Sequence, residues 1–236
     1  AQTPYEWHRP LFDYAKKVGI TIFSSPFDET AVDLLEELGA PAYKIASFEM
    51  TDFPLVEYVA KTGKPMIIST GMANLSEIEE VVSVAKENGC QELILLHCVS
   101  AYPAPIDQIN LTTITDLSTR FGVLSGLSDH TMGTAVATAS VALGACLIEK
   151  HFTLSRMDKG PDSEFSLEPD ELKQLCQDTK IAWQSLGSPG YETKASEQSK
   201  IKFLRSIYAI KNIQKGENLT TENVKRIRPG FGLSPK

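Results

Sequence analysis

An α/β fold built on a parallel (β/α)₈ barrel of the TIM type is the architecture this sequence predicts, and three observations predict it. Short β-rich runs alternate with helical patterns at a spacing of roughly 22 to 30 residues. The runs are nearly continuous in apolar residues, as the strands of a parallel sheet covered on its outer face must be. Polar residues close each run: Ser24 and Ser25, Ser47, Ser69 and Thr70, His97 to Ser100, Ser128 to His130, and Glu149 to His151. An open doubly wound sheet satisfies the first two observations equally well. The third separates the alternatives, because a barrel delivers every strand end to one rim, whereas an open sheet gathers polar ends at a single switch point. No G-x-G-x-x-G or Walker sequence follows any run, which also argues against nucleotide binding.

The elements follow in order. PYEWHRPLFDYAKKVG reads as a helix of the kind that follows a strand. ITIFSS (20–25) is the first run, and AVDLLEELG after it places Ala31, Leu34, Leu35 and Leu38 on one face before stopping at Gly39. AYKIAS (42–47) and PMIIST (65–70) come next. Asn74 and Glu77 then form a capping box for a helix with Ile78, Val81, Val82 and Ala85 inward, ending at Gly89. ELILLHC (92–98) and VLSGLSD (123–129) precede MGTAVATASVALGA, a small-residue helix suited to close packing on a sheet and ended by Gly144. ACLIEKHF (145–152) is the last run, and a helix from about Glu168 to Leu186 closes the barrel portion.

Six runs are counted where a barrel needs eight, so residues 1–195 are expected to supply strands 3 to 8 of a partial barrel, with the first two upstream of residue 1. From 196 to 236 the βα period is lost. KFLRSIYAIKNIQKGENLTTENVKRIRPGFGLSPK offers short strand-like pieces and a Gly-Glu turn, the pattern of a linker and the start of a small β-rich second domain.

Composition narrows the function. With 236 residues, 42% hydrophobic and 22% charged, the chain is globular and long enough to bury a substantial core. A net charge of −7 argues against a general nucleic-acid binder, since phosphate neutralisation needs a basic face. No apolar run reaches the roughly 18 residues of a membrane span, and AQTPYEWHRP has neither the charged nor the apolar region of a signal peptide. A cytoplasmic protein without membrane contact is expected. Cys90, Cys98, Cys146 and Cys176 contain no C-x-x-C pair, so they read as buried thiols rather than zinc ligands or disulfides.

The strand ends carry the chemistry. Lys44 shares a face of its strand with Ala42 and Ala46, and a charged lysine inside a barrel needs a partner. Three readings stand: an anion site formed with Ser25, Ser47, Ser69 and Ser128; a salt bridge to a barrel glutamate; or a Schiff-base lysine, which requires a depressed pKa. Glu149 and His151 share one face of ACLIEKHF, with Lys150 on the other, and Ser128 and His130 share a face of GLSDHT. A lone histidine at a strand end is usually structural. Two at equivalent ends of adjacent strands, about 4.8 Å apart, can instead ligate one divalent ion and leave positions open for substrate. Asp162, in GPDSEF, lies on a loop over the rim, as an acceptor for sugar hydroxyls or as a loop cap.

FSSPFD, AYKIASFE, ISTGMA, LLHCVSAYPAP, GLSDHT, VALGACLIEKHF and GPDSEFSL, in this order, resemble the N-acetylneuraminate (sialic acid) synthase family over essentially the whole chain. TPYEWH, SFE after the lysine, and RSIYAIKNIQKGE through RPGFGLSPK look most like its pseudaminic acid synthase branch. The resemblance implies a (β/α)₈ barrel followed by a small antifreeze-like (SAF) domain, in a domain-swapped homodimer. It implies condensation of phosphoenolpyruvate with an open-chain N-acetylated amino sugar, releasing phosphate. His130 and His151 match the ligands of a divalent metal, manganese foremost, with magnesium or cobalt as substitutes. Ser25, Lys44, Ser47, Ser69 and Ser128 match positions that hold phosphoenolpyruvate, and Glu49, Tyr102 and Asp162 match positions facing the sugar. Glu149 falls on a glutamate close to the reacting centre, so the catalytic set implied is Glu149, Lys44, His130 and His151.

Ser100 stands where sialate synthases carry asparagine, which weakens its match as a phosphate contact, while Ser25 replaces a threonine and keeps the hydroxyl. The family's first two strands and most of its antifreeze-like domain are not in this sequence, so a chain of this extent is expected to be inert alone. The rival enzyme reading is a phosphoenolpyruvate condensation onto a phosphorylated sugar, which calls for a second basic cluster that the sequence does not show. The rival of another class is a non-catalytic barrel in polysaccharide assembly.

Overall fold

Five short strands form one parallel sheet in the computed structural model, which describes residues 3–236: β1 (Tyr43–Ile45), β2 (Met66–Ser69), β3 (Leu93–Cys98), β4 (Leu124–Asp129) and β5 (Ile148–Lys150). Their order in the sheet is their order in the chain. That is the wall of a barrel, since a doubly wound sheet reverses its order at a switch point. Two of the runs pair less than their sequence suggests. ITIFSS contributes a single bridge, Ser24 to Tyr43, and within ACLIEKHF only Ile148–Lys150 joins the ladder. Both runs lie at the two ends of the sheet, where a strand has a neighbour on one side only.

Seven helices connect and cover the strands: α1 (Tyr5–Val18), α2 (Glu29–Glu37), α3 (Phe53–Ala60), α4 (Leu75–Glu87), α5 (Thr113–Phe121), α6 (Ala135–Ala142) and α7 (Pro169–Leu186). The capping box of α4 is present in both directions: the Glu77 amide donates to the Asn74 side chain, and the Asn74 amide donates to the Glu77 carboxylate. Gly89 follows this helix with φ of +110°, a conformation that glycine adopts without a Cβ penalty. Helices α3 and α5 have no counterpart among the helices read from the sequence. Helix α3, FPLVEYVA, is apolar around most of its circumference, so no stripe stands out, and α5 begins without a side-chain cap. A start signal for α3 is nonetheless present, because the Asp52 side chain accepts the Leu55 amide and Pro54 occupies the first turn.

Alternation divides the strand residues between two faces. Tyr43, Ile45, Met66, Ile68, Leu93 and Leu95 point outward and pack with Val32, Leu35, Val56, Val59, Val81 and Ala85 of the helices in the principal core. A smaller core of Ala137, Leu167 and Leu175 joins α6 to α7. His97 is also outward and buried, and its Nε2 donates to the Ile109 carbonyl, pinning the segment that leads into α5. The inner face mixes apolar Ile67, Ile94, Leu96 and Leu124 with Lys44, Ser69, Cys98, Gly126, Ser128 and Glu149.

The chain divides into two compact units, Ala1–Leu186 and Gly187–Lys236. The second is small and β-rich, with β6 (Ser206–Ala209) antiparallel to β7 (Val224–Ile227). The Asn223 side chain organises the intervening turn, donating to Glu217 and the Asn218 carbonyl and accepting the Thr220 amide.

Candidate active site

Register brings the polar residues of the inner face to one end of the sheet. Ser128 and Glu149 are partners across β4 and β5, and the Ser128 hydroxyl donates to Glu149 Oε1 at 2.6 Å. The other carboxylate oxygen of Glu149 lies 3.6 Å from the Lys44 ammonium, across the inner face from β1. Lys44 is buried and also donates to the Ile45 carbonyl at 3.1 Å. Burial, the dominant influence, pulls the lysine pKa below its ordinary value, against the opposing charge of Glu149. The salt-bridge reading of Lys44 and its anion-site reading are therefore compatible: the glutamate holds the ammonium at the rim.

Two residues further along both strands stand the histidines. The imidazoles of His130 and His151 lie with ring centroids 5.2 Å apart. Nδ1 of His130 is 2.9 Å from the Val99 carbonyl oxygen, which only accepts, so the proton sits on Nδ1. Nδ1 of His151 is 3.4 Å from Asp162 Oδ2. For His130 that tautomer leaves Nε2 with a free lone pair, and the Asp162 carboxylate favours the same tautomer of His151. An oxygen acceptor behind a histidine is the usual support of a metal-bound imidazole, so these two residues fit a divalent ion. Among the described residues no group of three or more His, Cys, Asp or Glu is arranged to hold a metal; two imidazoles need ligands from water or substrate to complete a shell. Burial lowers the His151 pKa and the neighbouring His130 lowers it further. For His130 burial acts in the same direction, but Cys98 and the Val99 carbonyl outweigh it and raise the pKa.

The remaining expected residues are placed around this centre. The Tyr102 ring lies 4.3 Å from that of His130 and 6.1 Å from that of His151, centroid to centroid. Asp162 is on the loop before α7, where its carbonyl accepts the Ser166 hydroxyl at 2.7 Å, so it serves both as loop anchor and as neighbour of the imidazole. Ser47 accepts the Gly71 amide at 3.1 Å. Among the described residues three side-chain polar atoms are buried without a hydrogen-bond partner: Ser69 Oγ, Glu49 Oε2 and Thr131 Oγ1. Such atoms cost stability unless a ligand completes them, and burial raises the Glu49 pKa. Ser25 is placed at the sheet edge by the Ser24 bridge, bordering a depression with Tyr5, His8, Phe27 and Asp28.

Several residues at the centre were not singled out from the sequence. Cys98 projects among Ser100, at 3.8 Å, and His130, at 3.8 Å. Burial pushes its thiol pKa up, while His130 and Ser47 together bring it below the ordinary value. A Cβ added to Gly71 would lie 2.2 Å from Ser100 Oγ and 2.8 Å from Ser47 Oγ, so only glycine keeps this cradle open. Phe165 is buried against His151, with centroids 4.9 Å apart. Outside the inner face, Asp129 and Lys150 form a buried ion pair at 2.8 Å. Their signal was present in the sequence as opposite charges at equivalent outward positions of two otherwise apolar strands.

Comparison with known proteins identifies the family. The profile of the NeuB family matches residues 1–191. The pseudaminic acid synthase of Helicobacter pylori is 44% identical over 238 residues, covering 100% of this chain and 70% of that protein. The N,N'-diacetyllegionaminic acid synthase of Campylobacter jejuni is 45% identical over 230 residues, covering 96% of this chain and 69% of that protein. In structure, the N-acetylneuraminic acid synthetase of Leptospira borgpetersenii serovar Hardjo-bovis superposes with a TM-score of 0.80 at 37% identity, covering 86% of this chain and 70% of that one. The chain thus spans about seven-tenths of the length of these relatives. Matched along most of its length by the profile and by named synthases, the chain belongs to the NeuB family.

Proposed function

We propose that this protein is a nonulosonic acid synthase that condenses phosphoenolpyruvate with 2,4-diacetamido-2,4,6-trideoxy-L-altrose, releasing phosphate and forming pseudaminic acid. The observation that carries the reading is the pair of neighbouring imidazoles set two residues beyond the Ser128–Glu149 partners of the Lys44–Glu149–Ser128 network. Such a site combines an anion holder, a carboxylate and a seat for a cation within one rim.

Each group has a defined task in this reading. The Lys44 ammonium, with the hydroxyls of Ser25, Ser47, Ser69 and Ser128, holds the phosphate and carboxylate of phosphoenolpyruvate in register, a positioning and electrostatic contribution. Ser69 Oγ, unpartnered and buried, is supplied with a hydrogen bond by that ligand. His130 and His151 hold a divalent ion, manganese foremost, which supplies Lewis acidity toward the sugar carbonyl when bound. The methylene carbon of phosphoenolpyruvate forms a bond to the aldehyde carbon as the C=O π bond breaks, the aldehyde oxygen takes a proton from solvent to become a hydroxyl, and positive charge develops at C2. Glu149 takes a proton from the water that adds at C2, and the resulting tetrahedral centre expels phosphate to leave the 2-keto acid. Glu49, Tyr102 and Asp162 face the sugar, and Ser100 supports the phosphate through the cradle at Gly71. An enzyme that consumes phosphoenolpyruvate works in the cytoplasm, where that intermediate is made.

The legionaminic acid synthase relative, at 45% identity, keeps a second sugar in view. The chemistry is the same and only the acceptor differs. Phosphate release is to be measured, on a chain restored to the full length of its relatives, with phosphoenolpyruvate, Mn²⁺ and either the diacetamido trideoxy altrose or N-acetylmannosamine. Release with the altrose alone is expected. Release only with N-acetylmannosamine keeps the chemistry and overturns the branch, and release with neither leaves the legionaminate acceptor, to be supplied next, and the non-catalytic reading.

A further inference from the structure

Asp129 and Lys150 immediately precede His130 and His151, and they are register partners at the last rung of the β4–β5 ladder. Their side chains lie on the outer face, opposite the imidazoles, and meet with Nζ 2.8 Å from Oδ2. Both are shielded from water, with side chains 3% and 0% exposed. The Lys150 ammonium also donates to the Thr131 carbonyl, and Asp129 Oδ1 accepts the Thr131 amide at 2.9 Å. The turn that carries the chain away from His130 is thus folded around this pair.

Burying two charges is costly, and apolar residues of similar volume commonly stabilise a fold as well or better. Fixing register is the best-attested use of a buried polar pair, and register is the weak point here. β5 pairs with β4 over three rungs, and both histidines stand one residue beyond the ladder. A slip of one residue would turn His151 from the inner face to the outer. On the inner side the Ser128–Glu149 hydrogen bond secures the rung below the histidines; on the outer side the ion pair secures the rung between.

We propose that the buried Asp129–Lys150 pair is a positioning clamp that sets the separation of His130 and His151 at which both Nε2 atoms serve one divalent ion. The inference rests on the metal reading given above. Its test is Mn²⁺ affinity, read from the free-ion paramagnetic resonance signal, together with the thermal midpoint of the metal-free protein. Asp129→Asn combined with Lys150→Met removes both charges and leaves none buried without a partner. The double variant is expected to unfold within a few degrees of wild type and to bind Mn²⁺ about 10- to 100-fold more weakly, the usual effect of losing a group that orients a ligand. Lys150→Met alone strands the aspartate and is expected to lower the thermal midpoint as well as the affinity. A double variant with wild-type affinity overturns the clamp. So does one that fails to fold, because the pair would then hold the fold and not the spacing of the imidazoles. A wild-type protein that takes up no divalent ion refutes instead the metal reading.

Discussion

Lys44 shows how one side chain reconciles a structural and a functional demand. Its ammonium is buried on the inner face, and Glu149 and the Ile45 carbonyl offset only part of the cost. An arriving phosphate or carboxylate completes its surroundings. Lys44→Met keeps the length of the side chain and removes the charge, so the KM for phosphoenolpyruvate is predicted to rise by about 10- to 100-fold, the equivalent of a charge-assisted hydrogen bond of about 1.5–3 kcal/mol. Steady-state kinetics on the folded variant checks this, and an unchanged KM would remove Lys44 from the anion site. Residue identity was legible where chemistry is unusual for its place: a lysine in an apolar strand, a histidine at each of two strand ends. The cradle at Gly71 was not legible, because its meaning lies in the 2.2 Å between an absent Cβ and Ser100 Oγ, a distance between residues far apart in sequence.

Between elements, the links are made by side chains that tie strands to helices. Tyr43 of β1 donates to Glu36 of α2 at 2.5 Å, and Glu36 accepts from Lys64, ahead of β2, at 2.6 Å. Burial, the largest single influence, raises the Glu36 pKa; the Lys64 ammonium and the Tyr43 hydroxyl together outweigh it, and the carboxyl titrates below its ordinary value in the folded protein. A carboxyl depressed on folding contributes stability above its unfolded pKa and loses it as pH falls through the folded one. Glu36→Gln is therefore predicted to be less stable than wild type at neutral pH and to approach it on acidification below about pH 4. Urea unfolding at both pH values measures the difference, and a gap that does not close would contradict the role of the ionised carboxylate. Helices α1, α2, α4, α6 and α7 were legible as elements, α2 from its apolar stripe, α4 from its capping box and α6 from a run of small residues closed by glycine. Short α3 and α5 were not, and ladder length at the sheet ends depends on neighbours that a sequence pattern does not show.

For the whole molecule, the barrel wall turns five separate strand ends into one site. No pair among Lys44, Cys98, His130 and Glu149 is closer in sequence than 19 residues by their numbering, yet register alone delivers them to a common rim. Fold class was readable because parallel packing imposes apolar runs and polar ends on every strand alike. The pairing behind each imidazole was not, since the Val99 carbonyl and the Asp162 carboxylate reach the histidines from loops. Central to the proposed function is one divalent ion held at this rim by the imidazoles of His130 and His151. Diffraction at the manganese absorption edge, from crystals grown with Mn²⁺ and phosphoenolpyruvate, tests it most directly. The account predicts a single anomalous peak within coordination distance of Nε2 of both His130 and His151. A peak bonded to neither histidine, or none at the rim, would contradict it.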